Sequence, residues 1–221
     1  MLRWIFVILS VTLCLNVNAV TNLTSLNDNG IKKWQAETFS GKSIYTIEKY
    51  KGRLALKALS HNSASGLVLK KRIDLTKTPY LNWSWLVEKK LLALNERSKS
   101  GDDFVARIYV VMDGGFMIWN TKSLNYVWSS NQDKGVVWDN AFAGSSVKMM
   151  STQGKNSEKG RWYQEKRNVY QDLINTFGDK GSADKNRQTY QYIDIIAIMT
   201  DTDNSGKEAE SYYGDITFSE L

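Results

Sequence analysis

The run Leu81-Asn82-Trp83-Ser84-Trp85 alternates apolar and polar side chains with a period of two. An extended strand with one buried face has that pattern, and a helix does not. Short β-prone stretches bounded by turn formers recur at 52–59, 66–73, 80–87, 104–112, 124–129, 146–151, 193–200 and 213–218. Strands so closely spaced, with little helix between them, predict an all-β chain folded as an antiparallel jelly-roll sandwich. One short helix is expected at Val169–Phe177, closed by Gly178. The only proline, Pro79, ends a turn signal over 74–79. No repeat, low-complexity block or linker interrupts the pattern, so residues 20–221 are expected to form one domain.

Residues 1–19 read as a secretory leader. Arg3 gives the positive start, residues 4–15 are almost wholly apolar, and Val17-Asn18-Ala19 offers a cleavage site. The apolar run is too short to span a bilayer, which takes about 20 residues. The alternative, lipidation at Cys14, is disfavoured by bulky Leu13 where a small residue is wanted. The expected location is therefore beyond the inner membrane, in the periplasm. Cys14 is the only cysteine, so cleavage leaves a disulfide-free protein with no thiolate metal site and no cysteine nucleophile. Stability must then come from an apolar core, to which eight Trp, eleven Tyr and seven Phe can contribute. Loss of Arg3 lowers the formal charge of +6 by one. The remaining basic residues are scattered, as in Lys70-Lys71-Arg72 and Lys89-Lys90, and form no stripe for nucleic acid.

Residues 104–112 present two unlike faces. Phe104, Ala106, Ile108, Val110 and Met112 form an apolar face, while Asp103, Val105, Arg107, Tyr109 and Val111 form the other. An arginine beside an aromatic ring can serve a sugar or carboxylate ligand, or sit on an ordinary solvated face. Thr200-Asp201-Thr202-Asp203-Asn204-Ser205-Gly206 resembles the first half of an EF-hand loop, but Tyr212 stands where the bidentate glutamate is needed. A calcium site using Asp201 and Asp203 with carboxylates from elsewhere stays open, as does a simple turn. Trp83, Trp85 and Trp128 share faces with aliphatic residues and are expected in the core; Trp119, Trp138 and Trp162 are the candidates for exposure. His61, the only histidine, sits in a polar turn and lacks the company a catalytic triad needs. Carboxylate pairs among Asp102, Asp103, Asp201 and Asp203 could serve glycoside hydrolysis if their spacing allowed.

Three stretches together resemble a bacterial family known only as domain-of-unknown-function family 3047. They are residues 96–104 running into Ala106-Arg107-Ile108-Tyr109-Val110, then Leu124-Asn125-Tyr126-Val127-Trp128, and Met199-Thr200-Asp201-Thr202-Asp203-Asn204 with Tyr212-Tyr213-Gly214-Asp215-Ile216; Arg167-Asn168-Val169 also fits. The resemblance implies an exported protein with a galactose-binding-like sandwich and implies no activity. The apolar stretch Leu91-Leu92-Ala93-Leu94 departs from the family pattern. The motif residues Asp103, Arg107, Tyr109, Arg167, Asn168, Asp201, Asp203, Asn204, Tyr213 and Asp215 are the candidate ligand set; a buried ion-pair network is the competing account. In that account Arg107, in mid-strand and flanked by Val105 and Tyr109, pairs with Asp201 or Asp215, while Asp103 lies too far along the strand. The functional expectation is a non-catalytic module for a saccharide or cell-envelope glycan. A carboxylate-pair carbohydrate enzyme and an envelope scaffolding protein are the alternatives, and the sequence says nothing of oligomeric state.

Overall fold

The computed structural model describes residues 20–28, 30–117 and 120–220. The expected leader, with Cys14, and Trp119 lie outside the described residues. Among the described residues fourteen strands form two seven-stranded sheets. The first holds β1 (Val20–Asn22), β3 (Ile44–Tyr50), β4 (Arg53–His61), β6 (Tyr80–Lys89), β11 (Tyr163–Asn168), β13 (Glu208–Tyr213) and β14 (Thr217–Ser219). The second runs in the order β2 (Gln35–Ser40), β5 (Ala64–Asp74), β12 (Tyr192–Asp201), β7 (Arg107–Met112), β8 (Lys122–Trp128), β10 (Gly144–Gln153) and β9 (Val137–Asn140). Pairing is antiparallel except for β8 with β10, because β9 turns back as the edge strand and leaves β10 between them. Among the described residues no helix is long and apolar enough to cross a membrane.

The alternation in the sequence decides which side chains meet between the sheets. Leu81, Trp83, Trp85 and Val87 of β6 face Ile108 and Val110 of β7 and Leu124, Tyr126 and Trp128 of β8 in one buried cluster. Trp83 and Trp85 meet edge to face at 5.3 Å, and Trp128 stands against Trp85 at 6.1 Å, an arrangement that suits aromatic quadrupoles. All three expected core tryptophans are buried. Trp138 is buried too, contrary to expectation, because it packs on Phe104, Val127 and Met149 on the far face of the second sheet. Trp162 is half-buried beside Tyr212.

The expected elements appear with three differences, and β1, β2, β3, β9 and β11 are strands that were not expected. Strand β7 begins at Arg107 and not at Phe104, since the carbonyl of Val105 accepts from the Thr200 hydroxyl and a side chain there replaces the ladder. The expected strand over 213–218 is divided, so Asp215 lies in the β13–β14 connection and not on the last strand. There its carboxylate accepts from the Thr24 hydroxyl (2.9 Å) and the Leu26 N–H (3.0 Å), tying down the segment after β1. Two helices are present where one was expected: α1 (Val169–Phe177) and α2 (Ala183–Tyr190). Helix α2 buries only Asn186 and Tyr190, so it lacks the apolar periodicity by which helices are found. In the Leu91–Leu94 stretch, Leu91 and Leu94 are buried, while Leu92 is exposed and Ala93 takes a positive φ of 51°.

Asn168 caps α1: its side-chain oxygen accepts from the Gln171 N–H at 3.0 Å. Removing such a cap costs about 0.5–2 kcal/mol. Asn168→Ala is therefore expected to lower unfolding free energy by about 1 kcal/mol, measured by urea titration, with Asn168→Asp close to the parent.

Candidate functional site

The outer face of the second sheet carries a cleft of about 430 Å³. Its floor comes from the side chains that alternate away from the core: Arg107 and Tyr109 on β7, Met199 and Asp201 on β12, and Asn125 on β8. Asp102, Asp203, Asn204 and Asn140 add polar groups from the loops and the end of β9, and Phe39 and Phe142 stand at its mouth. Both rings are largely exposed, at 73% and 55%. The β7 residues are delivered by the segment after Gly101, a position where a side chain would meet the Asn95 backbone at 2.4 Å. Only glycine permits that approach.

Arg107 is 4% exposed, and its guanidinium donates through Nη2 to Asp201 and to the Asp102 carbonyl at 3.4 Å. The Phe104 and Tyr109 rings lie 4.5 and 5.2 Å from the guanidinium carbon. Burial works against its charge, but the Asp201 carboxylate and its other neighbours raise its affinity for the proton above the ordinary value. Asp201 also accepts from the Phe104 N–H at 3.2 Å. Asp102 accepts twice from the Asn140 amide, at 3.0 and 2.9 Å. The oxygen of that same amide accepts from the Phe142 and Ala143 N–H groups, fixing the Phe142 loop to the floor. Asp103 is buried below the cleft and holds the β12–β13 loop, accepting from the Asn204 backbone and side chain and from Ser205 N–H at 2.6 Å.

These acids are charged at a cost. Burial, and after it the neighbouring carboxylates, push Asp102 and Asp203 above the ordinary range. For Asp201 burial is the largest influence and raises the carboxyl, while the Arg107 guanidinium pulls the other way. One oxygen each of Asp103, Asp201 and Asp203 lies within 4.8 Å of the others, the spacing a hard cation would need. Two of the three are already engaged: Asp201 by Arg107, and Asp103 by three N–H groups.

Of the residues the sequence singled out, Arg107, Tyr109, Asp201, Asp203 and Asn204 line the cleft and Asp103 supports it. The other four do not join them. Arg167 pairs with Asp172, which also accepts from the Tyr126 hydroxyl at 2.9 Å, and Asn168 is the helix cap. Tyr213 points into the core, its hydroxyl donating to the Met199 carbonyl at 2.9 Å and accepting from Arg107 N–H at 3.1 Å. Asp215 holds the N-terminal segment. Phe39, Phe142, Asn125 and Asn140 were missed as candidates; Asn125 alone carried a signal, standing inside a family-like motif between two apolar neighbours.

The model of the family described as "Protein of unknown function (DUF3047)" matches residues 32–217. The chain belongs to that family. No curated protein matches it. Among solved structures it is similar to the xyloglucanase domain of NopAA from Sinorhizobium fredii (10% identity, 84% of this chain and 92% of that one, TM-score 0.46). It is also similar to the catalytic domain of Humicola grisea Cel12A (9%, 81% and 85%, 0.43) and to the xylan-binding module CBM86 from Roseburia intestinalis (11%, 92% and 95%, 0.28).

Two predictions follow from the charges. Arg107→Ala leaves Asp201 buried without its cation, a loss of about 3–5 kcal/mol; thermal melts should show it, with Arg107→Lys falling between parent and alanine variant. The second concerns pH. A carboxyl whose folded pKa is raised stabilises the fold below the unfolded value of about 4, and that contribution is lost as pH climbs through the folded value. Asp102, Asp201, Asp203, Glu96 and Glu165 are all raised. Asp74, Glu88, Asp179 and Glu208 are lowered, so they are already ionised in both states at about pH 5. The melting temperature should thus fall between about pH 5 and pH 8, by about 2–4 °C per kcal/mol lost; a flat profile would mean that Asp201 is ionised throughout.

Proposed function

We propose that the protein is a non-catalytic glycan-binding module, exported to the periplasm, whose site is the cleft on the second sheet. The observation that carries this reading is the pairing of two exposed phenyl rings with a polar floor. A sugar ring presents apolar C–H faces and a rim of hydroxyls. Aromatic faces suit the former, and fixed carboxylates and amides suit the latter. Phe39 and Phe142 supply the rings, half-buried Asp203 and Asn204 supply hydrogen-bonding groups, and Asn140, its amide engaged by Asp102 and the Phe142 loop, fixes the floor. Their donors and acceptors are set by the fold, which lowers the entropy lost on binding.

The charge balance narrows the ligand. Three carboxylates and one guanidinium line the cleft, and that guanidinium is neutralised by Asp201. Neutral sugars or amino sugars fit this field, while uronic acids and sulfated sugars would meet repulsion. The way the carboxylates are held also favours binding over hydrolysis: Asp201 is capped by Arg107, Asp102 by Asn140 and Asp103 by the β12–β13 loop. General acid–base work on a glycosidic bond needs a pair of carboxyls free to reach it from opposite sides.

A glycan array followed by calorimetry on the purified protein tests the reading. Binding is expected to neutral or amino glycans, weakened about tenfold or more by Phe142→Ala or Asp203→Asn, with uronate polymers inactive. Release of new reducing ends would favour the enzyme, and an array without any bound glycan would end the proposal.

A further inference from the structure

The cleft has a direction. Each of the seven strands of the second sheet contributes to its lining, from Phe39 on β2 through Ala64 on β5 and Val147 on β10 to Asn140 on β9. The cleft therefore runs across the strands and not along one of them. Phe39 stands on edge strand β2, and Phe142 in the turn that joins β9 to β10 at the other side of the sheet. A second, apolar depression of about 190 Å³ adjoins the cleft along the strands, sharing Phe39, Tyr109 and Met199 with it and running on to Val111 and Ile195.

We infer that the site recognises an internal stretch of a linear polysaccharide laid across all seven strands, and not a terminal sugar. This rests on the glycan-binding reading above. A pocket for a chain end would be closed on one side and would gather its aromatic and polar groups around a single ring. Here Asn125 stands on β8, Asp203 and Asn204 on the β12–β13 loop, and the two rings on β2 and in the β9–β10 turn. Contacts so distributed cannot all be made by one sugar, so affinity must accumulate with ligand length. The Phe142 platform is held rigidly through Asn140, which also holds Asp102. Phe39 projects from an edge strand that is exposed along its length, so the two ends act as separate subsites.

Calorimetry with β-1,4-linked glucose oligomers and the matching glucosamine oligomers, one to six residues long, tests this. In the series that binds, the association constant is expected to rise about tenfold or more from disaccharide to pentasaccharide and then level off. Phe39→Ala and Phe142→Ala should each bring the plateau at a shorter length, and both rings are exposed enough that circular dichroism should show an intact fold. A mono- or disaccharide bound as tightly as the hexamer would overturn the inference while leaving the glycan site standing. Plateaus unmoved in both variants would overturn it as well. Failure of every oligomer in both series would remove the inference together with the reading on which it rests.

Discussion

Arg107 and Asp201 form an ion pair on adjoining strands, with both side chains almost wholly removed from water. Taking two charges out of water costs several kcal/mol each, and their attraction returns that only when the remaining donors and acceptors are also satisfied. The surrounding structure meets that condition in part, for Arg107 Nε is buried without a hydrogen-bond partner among the described residues. Arg107 Nη2 reaches the Asp102 carbonyl, Asp201 accepts from Phe104 N–H, and the Phe104 and Tyr109 rings lie beside the guanidinium. Residues 102–106 lie ahead of β7 yet stay bonded to its neighbours, the Phe104 and Ala106 carbonyls accepting from the Asp201 and Trp128 N–H groups. That course puts Asp102 at the edge of the cleft and Asp103 beneath the β12–β13 loop. The ion pair thus sits where the placement of the other acids is decided.

The pair is affordable because the other side of the sheet is so strongly apolar. Directly behind Arg107 and Tyr109, Ile108 and Val110 sit in the main core with Trp83, Trp85 and Trp128. A period-two strand lets one segment carry a dry core on one face and a charged floor on the other. Tyr213 links the two layers, since its ring packs against Trp85 at 6.5 Å while its hydroxyl accepts from the Arg107 N–H.

How much of this could be read from the sequence follows from the same periodicity. The faces of 107–112 and 80–87 were legible because each strand has one buried side. So was a carboxylate partner for Arg107 from another segment, narrowed to Asp201 or Asp215, since a desolvated guanidinium needs one; the structure selects Asp201. The split at Asp215 was not legible: Tyr212-Tyr213 and Ile216-Thr217-Phe218 both look like strand, and only the contact of Asp215 with Thr24 and Leu26 breaks them apart. Arg167 and Asn168 stood in a family-like motif and yet serve α1, because a motif marks positions and not the neighbours they meet. Helix α2 was hidden by its polarity. Phe39 and Phe142 were hidden by their setting, as one lies on an edge strand exposed throughout and the other in a turn, where no alternation exists to reveal a ring that matters.

The two kinds of residue in the cleft differ in what holds them, and that difference separates what the fold needs from what a ligand could use. Arg107, Asp102, Asp103 and Asp201 are buried and mutually bonded, so a ligand could claim them only by breaking contacts on which the fold relies. Phe39 and Phe142 bury little, the Phe142 ring meeting the Lys99 ammonium at 5.4 Å, and Asp203 and Asn204 are only half-buried on a loop. Exposed aromatic rings cost solubility without adding to the core. Their place at the two ends of one cleft, over a floor whose geometry the buried acids keep rigid, is what a binding surface requires: fixed polar groups below, and apolar surface left open to meet a partner.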